Sequence, residues 1–328
     1  MKGLAKLALG FLCLGMHLQT AEAAVDYSLS LEAGYRTDSL IWKEVPPVVP
    51  ATTLELDLMR KGRWKNVNFA NIVAEGQVIF CENLFLRGIM DYGRAILNGD
   101  YVARYVDATE QTESLFIKSK AESRDVYDLE IDLGYDFHWC EWGVTPIVGF
   151  TFDKQSFHHC GFKLERSLEP DGTTSTGNKL DKFDNSYNAR WDGPLMGFDL
   201  FWRPCCNLKI FMGTKFHWGR MHGRARSKVN LMLPIPNTPN FQNDEFSERR
   251  NHRAHFFGET YSAGFENDFL ESWSWGIVST FRYFLSCHPQ TEKIRYTQNG
   301  ASHVTTRAKP PRIFWYSFAI KGTIEYVF

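Results

Sequence analysis

Four carboxylates stand at even positions within one short stretch: Asp128, Glu130, Asp132 and Asp136. Crowded acids repel unless cations face them. Arg87, Lys209, Lys215, Arg282 and Lys321 recur in stretches of similar rhythm and can supply those cations, and Asp91, His217 and Glu325 share the pattern. Two kinds of chemistry suit such a set. The charges can line a water-filled passage and select ions, or they can form a network that fills a narrow interior. Catalysis by proton transfer needs a base held against an orienting partner, and no such pair is legible. Nor is there a phosphate-binding glycine run or a nucleophile elbow. His158-His159-Cys160 lacks the second spaced pair of a metal site and reads as a solvated loop. No catalytic, metal-binding or cofactor-binding residue is assigned, and no cofactor is expected.

The elements that must hold these charges have a period of two. Tyr127, Leu129, Ile131, Leu133, Tyr135, Phe137 and Trp139 alternate with the acidic row. A strand sends alternate side chains to opposite faces, so this segment has one greasy and one wet side. At the C-terminus, Phe314, Tyr316, Phe318, Ile320, Ile324, Tyr326 and Phe328 alternate with a row containing Lys321 and Glu325. With weaker copies elsewhere, these predict ten strands, at 27–36, 66–80, 83–92, 126–139, 143–157, 190–203, 207–219, 254–266, 269–285 and 313–328, with 52–58 as a short addition. The connections alternate between short and long. Those at 81–82, 140–142, 204–206 and 267–268 are short; those at 37–65, 93–125, 158–189, 220–253 and 286–312 are long and polar. Short turns on one side, long loops on the other and an even strand number describe an outer-membrane barrel with both termini in the periplasm. Hydrocarbon cannot satisfy an open sheet edge, so the sheet must close. The expected fold is therefore all-β, a transmembrane antiparallel up-and-down β-barrel of about ten strands.

Composition agrees with this reading and removes others. Lysine plus arginine is 37 and aspartate plus glutamate 38, a net charge of −1 that gives no support to nucleic-acid binding. The apolar fraction of 44% excludes a disordered chain. Mean hydropathy is −0.32, and no stretch beyond the N-terminus approaches the roughly 20 apolar residues of a membrane helix. Residues 1–23 have the form of a signal peptide: Lys2 and Lys6, an apolar run from Leu7 to Leu18, then Ala21-Glu22-Ala23. Residues 24–328 are expected to form a single barrel domain. Aromatic residues make up 15% of the chain. Trp139, Trp142, Trp202, Tyr326 and Phe328 fall at the turn ends of the strands, and Tyr35, Tyr92, Tyr127, Trp218 and Tyr316 at the loop ends. These are the expected interfacial girdles.

Outside the signal segment there are six cysteines. Cys81, Cys140, Cys205 and Cys206 sit by the short turns, and Cys160 and Cys287 at the bases of long loops. An exported chain can oxidise them. Disulfides are expected within the turn-side set, some of them between molecules, and between Cys160 and Cys287. The 220–253 segment carries seven basic residues, Arg220, Arg224, Arg226, Lys228, Arg249, Arg250 and Arg253, against Asp244, Glu245 and Glu248. It could meet anionic lipopolysaccharide or a host polyanion.

Several segments resemble the outer-membrane barrels of chlamydiae and their amoebal relatives. They are Gly34-Tyr35-Arg36-Thr37-Asp38-Ser39-Leu40-Ile41-Trp42, Asn83-Leu84-Phe85-Leu86-Arg87-Gly88 with Asp91-Tyr92-Gly93, and Ala189-Arg190-Trp191-Asp192-Gly193-Pro194 with Gly197. The resemblance covers residues 27–328. It implies a porin-like protein of the bacterial outer membrane, with disulfide cross-links to other envelope proteins. Tyr326 and Phe328 resemble the terminal signal read by barrel-insertion machinery. The layout is also similar to the ten-stranded omptin proteases, which use an acidic pair and an Asp–His pair at the barrel rim. After the seventh strand this chain reads Trp218-Gly219-Arg220-Met221-His222, with no aspartate before His222, and Asp91 is followed by Tyr92-Gly93-Arg94. Eight strands enclose an interior that side chains fill, while 16 to 18 leave an open channel. Ten strands with a porin-like resemblance imply a narrow channel for small polar solutes or ions. The alternatives are a surface adhesin or structural barrel without conductance, then an omptin-like protease.

Overall fold

The computed structural model describes residues 26–43, 58–80, 83–97, 99–106, 113–160, 162–168, 174–175, 184–234, 241–298, 301–307 and 312–328. The expected signal peptide, Cys81 and residues 52–57 lie outside these. The strands are β1 (Asp26–Lys43), β2 (Leu58–Phe80), β3 (Leu84–Leu97), β4 (Gly99–Val106), β5 (Glu113–Tyr135), β6 (Phe137–Trp139), β7 (Trp142–Cys160) and β8 (Phe162–Leu168). They continue as β9 (Thr174–Ser175), β10 (Asp184–Cys205), β11 (Leu208–Pro234), β12 (Phe241–Leu270), β13 (Trp273–Gln298), β14 (Ala301–Arg307) and β15 (Arg312–Val327).

Ten of them close a ring. β1, β2, β3, β5, β7, β10, β11, β12, β13 and β15 pair in that order, each antiparallel to the next. β15 returns to β1, from Ser28↔Val327 to Lys43↔Arg312. No edge is left for hydrocarbon to meet. β4 continues the wall beyond β3 by pairing with both β2 and β5. β6, β8 and β14 extend hairpins along β7, β5 and β13, and β9 pairs β8.

The long polar connections expected from the sequence are largely strand. The 220–253 segment is a ladder, from Arg220↔His255 to Pro234↔Phe241. The reason is visible along β10, β11 and β15, where the alternation inverts part-way up. Near the turns, Met196, Phe198, Leu200, Ile210, Met212, Phe318 and Ile320 point outward and are exposed. Farther along, Tyr187, Ala189, Trp191, Met221, Ala225, Ile313 and Trp315 point inward and are buried, while Arg190, Arg220, Arg224 and Arg226 face out. β2 has made the switch by Phe69 and Val67, both fully buried, and a bulge then changes which of its positions face in. Asp38 pairs Val67 and Leu40 pairs Trp64, so β2 carries one extra residue there. Asn66 takes φ 53°, a left-handed conformation that asparagine tolerates, and its N–H donates to Ser39 Oγ at 3.0 Å. The extra residue turns Trp64 inward.

The outward apolar band runs from Leu29, Trp275 and Phe328 near the turns to Tyr35, Tyr127, Trp218 and Phe257. This is the membrane-spanning part. Trp139 and Trp142 lie at its turn end, 59% and 58% exposed. Tyr326 and Phe328 pack edge-on there, with centroids 4.7 Å apart, and Phe328 N–H bonds Tyr27 O at 2.9 Å.

Candidate functional site

The interior of the barrel has three layers. A polar cavity of about 300 Å³ opens at the turn end, bordered by residues such as Gln77, His138, Asp199 and Arg203. Within it Lys209 Nζ bonds Glu266 at 2.8 Å and lies 5.6 Å from the Phe211 ring. Lys321 pairs with Glu32.

An ion network walls the cavity on the side away from the turns. Arg36, 2% exposed, reaches Asp38 at 2.8 Å, Asp128 at 2.5 Å and Asp91 at 3.5 Å. Arg282 Nη1 reaches Asp153 at 2.5 Å and Asp128 at 3.2 Å. Lys215 holds Glu130 and, at 2.8 Å, Asp132. Arg87 takes the same Asp132 oxygen at 2.8 Å. Six carboxylates thus share four cations. Each strand supplies its charge because its inward face is cut off from lipid. Asp128, Glu130 and Asp132 share one face of β5, opposite Tyr127, Leu129 and Ile131. Burying so many charges is costly, and it holds only while every partner is in place.

The third layer is apolar. Trp64, Tyr101, Phe157, Tyr187, Trp191, Phe256, Phe284 and Trp315 are each no more than 2% exposed. Their rings meet at 4.8 Å (Trp64–Tyr101), 4.9 Å (Phe284–Trp315) and 5.0 Å (Phe256–Phe284). Trp191 Nε1 donates to Gln155 Oε1 at 2.8 Å. Trp315 ties the apolar layer to the ionic one: its Nε1 lies 3.4 Å from Asp38 Oδ2, and Arg36 sits 5.7 Å from its ring. Tyr187 Oη and His252 Nε2 are 2.7 Å apart. Burial, then the nearby Arg250, lowers the His252 pKa to about 3, so the ring is neutral. Gly223 leaves room for this pair. A Cβ there would lie 2.0 Å from His252 Nε2 and 2.4 Å from Tyr187 Oη.

Of the charged residues singled out in the sequence, Arg87, Asp91, Asp128, Glu130, Asp136, Lys209, Lys215, Arg282, Lys321 and Glu325 border the cavity. Asp132 and His217 also face inward but are fully enclosed. His217 Nε2 is 2.8 Å from Thr260 Oγ1, and its ring is 5.3 Å from Phe284. Sequence reasoning missed Arg36, Asp38, Glu32, Glu75 and Asp153. The signal was the same parity: Glu32, Arg36 and Asp38 alternate with Leu31 and Tyr35.

The expected Cys160–Cys287 bridge needs correction. Cys140, Cys205, Cys206 and Cys287 are free thiols, so no Cys160–Cys287 bridge forms. β10, β11 and β12 separate β7 from β13. Four inter-strand spacings of roughly 4.8 Å exceed the Cα separation a disulfide spans. His222, where an omptin would place its rim histidine, is on the outward face, opposite Arg190 and Arg253. Among the described residues no group of three or more His, Cys, Asp or Glu could hold a metal ion, and no helix is long and apolar enough to cross a membrane.

A family model described as "Pom: Protochlamydia outer membrane protein" matches residues 30–328. No curated protein matches the sequence. Among solved structures, the outer membrane protease OmpT from Escherichia coli superposes with TM-score 0.69 at 11% identity, covering 92% of this chain and 97% of that one. That likeness shows the fold alone. The translocator domain of the autotransporter NalP from Neisseria meningitidis gives TM-score 0.31 at 9% identity, over 99% and 95% of the two chains. The toluene transporter TodX from Pseudomonas putida gives 0.34 at 9%, over 94% and 90%.

Proposed function

The chain belongs to the Protochlamydia outer membrane protein family, and on that premise we propose that it is an envelope barrel closed at rest. Its polar vestibule faces the periplasm and its aromatic layer seals the outer side. One observation carries this reading: tryptophan and tyrosine rings with no more than 2% exposure occupy the lumen above the ion network. Water cannot thread side chains packed at ring contact. The porin-like reading draws support from the family and from the charged, water-sized cavity beneath the seal. It requires the aromatic layer to move.

Planar-bilayer recordings of the refolded barrel separate the two. The wild type is expected to give no steady discrete conductance. The triple variant Trp64→Ala, Trp191→Ala, Trp315→Ala is expected to give one. Steady channels in the wild type would overturn the closed reading in favour of a porin. The orientation is tested with an impermeant maleimide after mild reduction. Cys140, Cys205 and Cys206, all exposed at the turn end, are expected to react in lysed but not in intact cells. Those same thiols support cross-linking to other envelope proteins, seen as reductant-sensitive bands above the monomer on non-reducing gels.

A further inference from the structure

Basic residues of the 220–253 segment join Lys154 and Arg190 in an ordered lattice on the outside of the wall. Lys154 of β7 lies opposite Arg190 of β10, Arg190 opposite His222 of β11, and His222 opposite Arg253 of β12. One cross-strand row therefore carries three cations and a histidine with no acid. Lys154, Arg190 and Arg253 are exposed. One step toward the membrane runs Phe152, Asp192, Arg220 and His255. Asp192 is the row's acid, and Arg190 Nε already holds it at 2.9 Å. Two steps above lies Arg226 opposite Arg249.

Like charges placed directly opposite on neighbouring strands destabilise a sheet. His222 sits among these charges. Burial lowers its pKa, and Arg253, Arg190 and Arg220 lower it further against Asp192 alone. A lattice built this way needs counter-anions from outside the chain. Its height says which ones. Lys154 and Arg220 come two residues beyond Phe152 and Trp218, the last outward aromatics on their strands. Two residues rise at most about 7 Å along a strand, which is the depth of lipid headgroups.

We propose that Lys154, Arg190, Arg220 and Arg253 form a binding site for the phosphate groups of an anionic glycolipid in the outer leaflet. The guanidinium forks of the arginines suit phosphate oxygens. Arg190 also lies 4.7 Å over the Phe152 ring, which fixes one side of the site. A soluble polyanion would need no such placement at the edge of the apolar band. The assignment to the outer leaflet rests on the orientation proposed above. Binding in detergent does not, so the two can fail separately.

The test uses the full refolded barrel in detergent with purified lipid A as the probe, read by native mass spectrometry. Bis-phosphorylated lipid A is expected to bind, its monophosphoryl form at least tenfold more weakly, and inorganic phosphate not measurably. Arg190→Gln with Arg253→Gln is expected to cut lipid A binding by at least tenfold. Both side chains are exposed, and an unchanged urea midpoint checks that the barrel still folds. Lys65→Gln, on β2 across the ring from the row, is expected to leave binding unchanged. Equal binding by the double variant, or by dephosphorylated lipid, would overturn the site. So would binding of heparin that exceeds lipid A and shows the same dependence on Arg190 and Arg253.

Discussion

The two ends of this barrel use one set of strands to solve opposite problems. Toward the turns, Ile210 and Met212 face out while Lys209 and Lys215 face in. Toward the hairpins of the same strand, Met221 and Ala225 face in while Arg220, Arg224 and Arg226 face out. The surroundings impose the difference. In the band, lipid takes the apolar side chains and the interior must satisfy the charges among themselves. Beyond it, water takes the charges and the interior becomes an ordinary apolar core. The membrane-spanning half is thus held by ion pairs that cannot lose a member, and the other half by packing.

The largest break in that contrast is expected from Arg36→Met. It leaves Asp38, Asp91 and Asp128 without their shared cation. Removing one partner of a buried ion pair costs about 3–5 kcal/mol, and the urea midpoint of the refolded barrel should report the upper end of that range. A loss under about 1 kcal/mol would mean that water already reaches the network. Trp191→Ala probes the apolar half, where truncating a buried tryptophan costs about 3 kcal/mol. It should also raise ion leakage through vesicles, which Arg36→Met tests independently.

The contrast also marks what was legible in the sequence. Ten strands and closure could be read because lipid enforces a strict outward row, as from Tyr127 to Trp139. The extensions could not, because above the girdle the strands have the polar composition of loops. Arg220-Met221-His222-Gly223-Arg224-Ala225-Arg226 looks like a polar loop, yet it alternates perfectly in the inverted phase. The lumen charges on β5 and β11 follow from parity alone. Their pairing across the barrel, such as Lys215 with Asp132, needs the closure and shear that no single strand records. The seal was hidden for a further reason: Trp64 reaches the interior only through the bulge at Asn66.

The next effect separates the halves by pH. His252 stays neutral down to about 3 in the folded barrel, whereas an unfolded histidine takes its proton near 6.5. Between those values the unfolded chain binds more protons, so stability falls as pH falls, by up to about 1.4 kcal/mol per unit. The groups facing it are Tyr187 from β10 and Arg250 on its own strand. His252→Gln should flatten this part of the slope between pH 6.5 and 5. An unchanged slope would place the acid sensitivity wholly in the lumen carboxylates.

The smallest effect concerns tryptophans on the outer surface. Trp142 and Trp202 stack at 5.4 Å and 15° at the turn end, and Trp142 is 58% exposed. Trp142→Ala therefore opens no cavity and removes one stacking contact, worth about 0.5–1.5 kcal/mol. The loss should depend on lipid, because the ring sits where an apolar face meets headgroups and a polar N–H meets water. The change in urea midpoint is expected to be larger in bilayers than in detergent. For Trp191→Ala it should be the same in both, since that ring touches only protein. Equal lipid dependence at the two positions would mean that the inverted half is not a sealed core, because lipid or detergent would then be reaching the rings assigned to it.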